Sequence, residues 1–161
     1  MHRPTASSRA AFRTVRPDDA EILADVFSDI DTTFFRPHPF TAHQARRIAS
    51  RTGKDVYALL LMAGRPVAYG MLRGLDEGFD VPSLGIAVRT SEQRKGYGRA
   101  LMAELHGEAM RRGASRVRLR VHPENVRARR LYERLGYQYQ GLERGELLMV
   151  IDLEAGPAPG P

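Results

Sequence analysis

The feature that most limits how this chain can fold is a glycine-containing loop between a strand pattern and a helix pattern. Residues 84–88 form a short apolar run typical of a buried strand, whereas Leu101, Leu105 and Ala109 recur at helical spacing. Between them, residues 92–101 read EQRKGYGRAL, with two glycines and three cations just before the helical pattern. The loop is therefore predicted to lie at a helix N-terminus in a fold that combines strands and helices.

A loop of this kind can bind an anion. A helix N-terminus presents unpaired N–H groups and the positive end of the helix dipole. Gly96 and Gly98 permit positive φ and a close approach of the backbone to an oxygen atom. Charge is added by the three cations Arg94, Lys95 and Arg99. Taken alone, however, the pattern fits a plain strand-to-helix turn equally well.

Two well-known phosphate-binding motifs do not match this loop. A dinucleotide fingerprint needs Gly or Ala three residues after Gly98, and that position is Leu101. A P-loop needs Ser or Thr directly after its lysine, and Lys95 is followed by Gly96. An anion bound here would belong to another class of ligand.

The composition indicates one globular domain. The 161 residues are 42% hydrophobic and 27% charged, and none is cysteine, which excludes disulfides and thiolate metal sites. We assign residues 11–154 to the domain and expect disorder over residues 1–10 and 155–161. Since the first ten residues lack an apolar signal segment, we expect a cytoplasmic protein; an arginine- and serine-rich transit peptide is the alternative.

The charge pattern bears on the possible partners. The net charge is +6, and only Lys54 and Lys95 among the 25 basic residues are lysine. Such a surface attracts nucleic acid, acidic lipid or a nucleotide cofactor, although a GC-rich genome would produce the same arginine bias. We expect no nucleic acid, because the aromatic residues mostly fall on apolar faces or in one loop. We expect no membrane partner, because no apolar run reaches the roughly 20 residues of a membrane helix.

The order of patterns along the chain predicts a mixed α/β sheet without internal repeats. Asp18 or Asp19 caps the first predicted helix, and Thr41 caps the second. Asn125 caps the last helix, which Gly136 ends. The other predicted elements are strands over residues 12–16, 55–62, 66–72, 84–88, 116–121, 137–140 and 146–151, and a helix over residues 98–112.

A second motif follows further along the chain, where residues 125–137 read NVRARRLYERLGY. Together, Q-x-x-G-x-G at residues 93–98 and N-x-x-A-x-x-x-Y-x-x-x-G-Y at residues 125–137 resemble the GNAT superfamily of acyl-CoA-dependent N-acyltransferases. The resemblance covers residues 83–137 closely and the rest of the chain in its order of elements. It implies an α/β (α+β) fold whose mixed, mostly antiparallel central sheet has splayed central strands and is flanked by about four helices.

The resemblance also implies that acetyl-CoA is the co-substrate. The pantetheine arm would pair with the backbone of Ile86, Ala87 and Val88, and the Val88 N–H would stabilise the carbonyl oxygen. Asn125 would contact the CoA arm or serve only as a helix cap. Tyr132 would protonate the departing thiolate or be only a core residue. The pyrophosphate would lie on the N–H groups of Arg94, Lys95, Gly96, Tyr97, Gly98 and Arg99.

The general base is where this chain departs from the family pattern. Many members carry a glutamate on the strand before the glycine loop, and residues 82–88 contain no carboxylate. Asp80 is our first candidate for the base, Glu77 the second and His38 the third. A base acting through water, and purely structural roles for all three side chains, stay open.

The acceptor site is expected between two loops, the aromatic and proline-containing residues 34–40 and the acidic residues 76–80. An acidic loop favours a cationic amine, whereas an acceptor with its own negative charge would use Arg36 or Arg73. The residues assigned to substrate binding are Phe35, His38 and Asp76.

These assignments lead to a predicted reaction. The chain would transfer an acetyl group from acetyl-CoA to the primary amine of a small molecule by direct attack. A protein or peptide N-acetyltransferase and a non-catalytic acyl-CoA-binding module are the alternatives. We expect no metal, because His38 and His43 lack a third ligand at a recognisable spacing. A homodimer is the default oligomeric state.

Overall fold

Seven strands form one sheet in the computed structural model, which describes residues 10–153. The strands are β1 (Ala10–Thr14), β2 (Val56–Met62), β3 (Arg65–Arg73), β4 (Ser83–Val88), β5 (Arg116–Val121), β6 (Gln138–Glu143) and β7 (Glu146–Asp152). The helices are α1 (Ala20–Ser28), α2 (Ala42–Ala49), α3 (Tyr97–Arg111) and α4 (Val126–Leu135). The disorder predicted at the two ends lies outside the described residues, except that Ala10 already belongs to β1.

The sheet confirms the predicted fold class. The strand order is β1-β2-β3-β4-β5-β7-β6, and all neighbouring pairs are antiparallel except β4 and β5. The predicted elements are all present, with limits that shift by a few residues; β1, for example, ends at Thr14 rather than at residue 16. Among the helices of residues 10–153, none combines the length and the apolar character needed to cross a bilayer.

The central strands β4 and β5 diverge, as predicted. They pair in register only at Ser83 and Arg118, and the Arg118 N–H donates to the Pro82 carbonyl at 3.0 Å. On its other side β4 pairs with β3 along its whole length, from Ser83 to Val88. Beyond Ser83, the backbone groups of β4 that face β5 therefore have no strand partner within residues 10–153. A gap opens in the sheet at this point.

Helices α3 and α4 cover one face of the sheet. Leu101, Met102 and Leu105 of α3 are fully buried against the strands. Burying a leucine side chain of this kind contributes about 1.5–3 kcal/mol. Gly70 of β3 makes close packing possible, because a Cβ at that position would lie 2.8 Å from a Leu105 methyl carbon. The glycine loop lies at the N-terminus of α3, so the packing of this helix holds the loop beside the gap between β4 and β5.

Helices α1 and α2 cover the opposite face over β2 and β3. Leu23 and Val26 of α1 and Ile48 of α2 are buried in the core of this layer. Helix α2 begins where predicted, since the Thr41 hydroxyl accepts the Gln44 N–H at 3.1 Å. The segment between the two helices crosses the face of the sheet next to β4. Among the helices of residues 10–153, none covers β5, β6 and β7 on this side.

Candidate active site

A cavity of about 570 Å³ lies where β4 and β5 diverge. We call it the cleft. The glycine loop lines one end and α4 lines one side. The cleft brings together all but one of the residues predicted to bind the co-substrate, together with the predicted acid: Ile86, Ala87, Val88, Arg94, Gly96, Tyr97, Gly98, Arg99, Asn125 and Tyr132.

The backbone of the glycine loop has the conformation that an anion site needs. Arg94 and Gly96 both take left-handed conformations, with φ of 66° and 82°. Gly96 is the N-cap of the 15-residue helix α3. Because glycine has no side chain, it cannot bond to the first N–H groups of the helix as a serine or an asparagine would. Gly98 has a different role, because a Cβ there would meet Ile86 and Leu131 at an ordinary 3.6 Å. Its missing side chain widens the cleft rather than relieving a clash.

Lys95 is the predicted co-substrate residue that does not line the cleft. Its ammonium group donates to a carboxylate oxygen of Glu92 at 2.8 Å, and this bond raises the pKa of Lys95 and lowers that of Glu92. Arg65 donates to the other carboxylate oxygen of Glu92 at 2.6 Å. Glu92 therefore holds the Lys95 ammonium group, and Lys95 is not among the residues that line the cleft.

Helix α4 carries Asn125 at its start. The Asn125 side chain accepts the Ala128 N–H at 3.4 Å and also lines the cleft, so capping leaves it at the cleft surface. Two residues along, Arg127 donates to the Gln93 side chain at 3.4 Å, which links α4 to the glycine loop. The two sequence motifs are thus in direct contact across the cleft.

Tyr132 lies on the side of α4 that faces the cleft. It is 8% exposed, and burial raises its pKa to about 12. The hydroxyl consequently keeps its proton at neutral pH, as a proton donor must. Its ring lies 5.7 Å from that of Tyr137, whose hydroxyl bonds to His106 at 2.7 Å. Within residues 10–153, no protein group forms a hydrogen bond with the Tyr132 hydroxyl.

A second, open cavity of about 1070 Å³ adjoins the cleft on the face that the helices leave uncovered. We call it the groove. Its walls come from residues 33–37, the β3–β4 loop, β5 and the β6–β7 hairpin. The cleft and the groove share four lining residues, which we call the junction: Phe34, Phe35, Arg120 and His122.

Two aromatic residues form one wall of the junction. Phe35 packs on β4 at Gly85, where a Cβ would lie only 2.8 Å from the Phe35 ring. Phe34 stacks on His122, with ring centroids 4.8 Å apart. The His122 Nδ1 accepts the Glu124 N–H at 3.1 Å, so the proton of the neutral ring lies on Nε2. Within residues 10–153, no protein group bonds to this Nε2, and His122 lines both cavities.

The carboxylates predicted as general bases lie along the groove. Asp80 and Glu77 are exposed and line it, and neither forms an ion pair with another residue of the described chain. Neither lines the cleft. A proton could reach them from the junction only through water.

Asp76, which we predicted to bind the acceptor, lines neither the cleft nor the groove. Its carboxylate accepts the backbone N–H groups of Lys54 (2.5 Å) and Asp55 (3.3 Å) and pairs with the Arg51 guanidinium. The two backbone bonds and the Arg51 charge lower its pKa. Asp76 thus joins two loops, and we do not retain it as a substrate ligand.

His38 also lines neither cavity. Its Nδ1–H donates to the Pro39 carbonyl at 2.7 Å, and its Nε2 accepts the Tyr69 hydroxyl proton at 2.8 Å. The ring packs against Phe27 and Phe40, and burial lowers its pKa. Because both ring nitrogens are engaged, His38 holds its loop against β3, and we retain it neither as a base nor as a substrate ligand.

Arg120 and His122 are the two junction residues that sequence reasoning missed. The alternation of residues 116–121 did indicate a strand with one basic face. Nothing in that alternation says which neighbour the basic face meets. Only the divergence of β4 and β5 brings Arg120 and His122 beside the predicted co-substrate site. Within residues 10–153, no cluster of three His, Asp or Glu side chains could hold a metal ion.

Comparison with solved structures shows close similarity in fold. The ribosomal-protein-S18-alanine N-acetyltransferase from Escherichia coli is 21% identical, with a TM-score of 0.73 over 92% of this chain and 97% of that one. A spermidine N-acetyltransferase SpeG chimera from Vibrio cholerae and hSSAT is 15% identical, with a TM-score of 0.75 over 89% and 95%. The PaiA N-acetyltransferase from Thermoplasma acidophilum, solved in complex with coenzyme A, is 13% identical, with a TM-score of 0.74 over 89% and 99%.

Comparison with families agrees with the sequence motifs and with this geometry. Curated protein sequences give no match to the chain. The family model described as "Acetyltransferase (GNAT) family" matches residues 22–137, which include the glycine loop, β4, β5 and α4. The chain therefore belongs to the GNAT acetyltransferase family and is an acyltransferase enzyme.

Proposed function

We propose that this protein transfers an acetyl group from acetyl-CoA to the primary amine of a small molecule. The observation that carries the proposal is the junction, where a cleft suited to an acyl-CoA meets a groove open to a second substrate. The aromatic pair Phe34 and Phe35 lines this meeting point and offers an apolar surface for a small acceptor, which is why we favour one over a protein chain. A protein or peptide N-terminus is the alternative acceptor.

The residues of the cleft fit acetyl-CoA. The β4 edge at Ile86 to Val88 offers backbone groups that an extended pantetheine arm can pair with, as an added strand would. Arg94 and Gly96 line the cleft in left-handed conformations, which are typical of loops whose backbone N–H groups bind a phosphate, and a pyrophosphate would bind there. Arg94 and Arg99 line the same end and add positive charge.

Three groups would assist the reaction. The Val88 N–H would donate to the thioester oxygen as negative charge develops on it. The Tyr132 hydroxyl would give its proton to the departing thiolate, and its burial keeps that proton in place beforehand. The attacking amine must lose a proton, and we propose that water carries it along the groove to Asp80, with Glu77 as the second candidate.

A thiol-release assay tests the proposal. The protein and acetyl-CoA are incubated with a panel of aminosugars, polyamines, amino acids and peptide N-termini, and free CoA is measured. Amine-dependent CoA release with a small acceptor is the expected result. Release only with peptides would favour the alternative acceptor. Binding of acetyl-CoA by calorimetry without release for any amine would instead indicate a non-catalytic module.

A further inference from the structure

The arginines of β5 differ in whether the protein neutralises them. Arg118 pairs with the Glu143 carboxylate of the β6–β7 hairpin. Arg120, two residues along the same face, forms no hydrogen bond or ion pair with any residue of the described chain. Its cross-strand partner in register is Leu148 of β7, which is apolar. Arg120 therefore keeps an uncompensated positive charge in a half-buried position.

The position of Arg120 separates it from the other arginines of the groove. Arg36 donates to the Thr32 carbonyl at 2.8 Å, and Arg73 donates to the Pro37 carbonyl at 2.9 Å. Arg144 is exposed on the hairpin turn between β6 and β7. Only Arg120 among these groove arginines also lines the cleft. It thus lies where the proposed reaction would bring the acceptor amine to the thioester.

Within residues 10–153, no carboxylate that lines the cleft or the groove forms an ion pair with Arg120; in the groove, Glu143 pairs with Arg118 instead. Two carboxylates line the cleft: Glu92 is bound to Arg65 and Lys95, and Asp31 accepts from Thr33. An acceptor with a second positive charge beside its amine would meet the Arg120 guanidinium and be repelled. An acceptor with a negative charge there would gain a charge-assisted hydrogen bond.

We infer that the acceptor carries an anionic group, a carboxylate or a phosphate, beside its amine, and that Arg120 binds this group. The inference rests on the proposed acetyl transfer. It reverses the cationic acceptor that the acidic sequence of residues 76–80 favoured. Asp76 lines neither cavity, and Glu77 and Asp80 line the groove but not the junction, where Arg120 lies. Binding of the anion by Arg120 would orient the neighbouring amine toward the cleft.

The test uses acceptor pairs that differ in the anionic group. An amino acid is compared with its amide, and phosphoethanolamine with ethanolamine, by initial rates at saturating acetyl-CoA. We expect kcat/KM to be about tenfold or more higher for the charged member of at least one pair, which corresponds to about 1.4 kcal/mol. The pair that shows the preference distinguishes carboxylate from phosphate. The amide has the more acidic amine, so without recognition of the charge it would be the better acceptor.

Variants assign the preference to Arg120. R120Q should abolish it by raising KM for the charged acceptor, with KM for acetyl-CoA unchanged, and R120K should retain part of it. R116Q is the matched control, because Arg116 lies on the same face of β5 and lines neither cavity. Equal use of both members of each pair by the natural protein would overturn the inference. A change in KM for acetyl-CoA alone in R120Q would overturn it too.

A binding measurement separates this inference from the proposed reaction. Calorimetric titration of each pair into CoA-saturated protein should show tighter binding of the charged member, and R120Q should lose that difference. Such binding without any CoA release would refute acetyl transfer and still support the anion site. CoA release with neutral amines and no preference would support acetyl transfer and refute the anion site. Binding of neither member would overturn the inference.

Discussion

The cleft takes its walls mainly from two short stretches of sequence, whereas the groove takes its walls from segments far apart in the chain. Residues 92–99 and residues 125–134 each contribute at least six residues to the cleft, and Arg94 and Gly96 of the first stretch have left-handed backbone conformations. The groove combines side chains from the β3–β4 loop, β5, the hairpin and the loop after α1. A site made of local backbone conformation can be recognised from a motif, and a site made of distant side chains cannot.

The largest expected effect comes from the proton donor of the cleft. Y132F should lower kcat by about 10²–10⁴, the range typical of general acid catalysis, with little change in KM for acetyl-CoA. Steady-state kinetics of acetyl transfer provides the measurement. Y139F is the control, because Tyr139 is 58% exposed on β6 and lines neither cavity. Unchanged turnover in Y132F would remove the acid role and leave Tyr132 as a core residue.

A smaller effect is expected from filling the cleft at the glycine loop. G98V should weaken acetyl-CoA binding by roughly ten- to a hundredfold, because its side chain enters the cleft and keeps the ligand from the backbone. The fold should survive, since the added Cβ meets its neighbours at 3.6 Å or more. Calorimetry with acetyl-CoA measures the change. G107A in the same helix is the control, because its Cβ would meet only the flexible end of Arg111. Undiminished affinity in G98V would mean that the pyrophosphate binds elsewhere.

The groove should show an effect on turnover rather than on co-substrate binding. D80N should lower kcat by about tenfold if water carries the amine proton to this carboxylate, and E77Q should have less effect. Rates measured across pH test this directly, because loss of a base removes the corresponding limb of the pH profile. If both variants keep the natural rate and profile, neither carboxylate is the base, and proton transfer to bulk water becomes the better explanation.

The smallest effect on activity is expected at Asp76, which the structure removes from the acceptor site. D76N should leave kcat and both KM values unchanged and should lower Tm. The pKa of Asp76 is lowered in the folded state, so its charged form stabilises the fold above the ordinary carboxyl pKa of about 3.9. That contribution disappears as the pH falls through the lowered folded-state pKa.

Thermal unfolding at two pH values provides the measurement for D76N. The natural protein and D76N should differ in Tm at pH 7, and the difference should shrink at acid pH as the Asp76 carboxyl becomes protonated. A raised KM for the acceptor amine at unchanged Tm would mean that Asp76 binds the acceptor after all. The acidic sequence would then have predicted part of the groove correctly.

Some predictions depended on local chemistry, and the structure confirmed the elements that they describe. Thr41 and Asn125 cap their helices, and Gly136 ends α4 in a left-handed conformation with φ of 103°. These features involve residues a few positions apart, so the sequence specifies both partners. Lys95 shows the limit of such reasoning. Its charge suggested a phosphate contact, but Glu92, three residues earlier, binds its ammonium group.

The sequence by itself determined the order of strands and helices, the glycine loop at a helix N-terminus and the motifs of the GNAT acetyltransferase family. Those features follow from periodicity, caps and backbone freedom, which act over a few residues. Only the tertiary structure decided which polar side chains face the acceptor. In the folded chain, His38 and Asp76 bond to neighbouring segments of the protein, whereas Arg120 and His122 lie at the junction. The physical reason is that their surroundings depend on how β4 and β5 diverge and on partners tens of residues away.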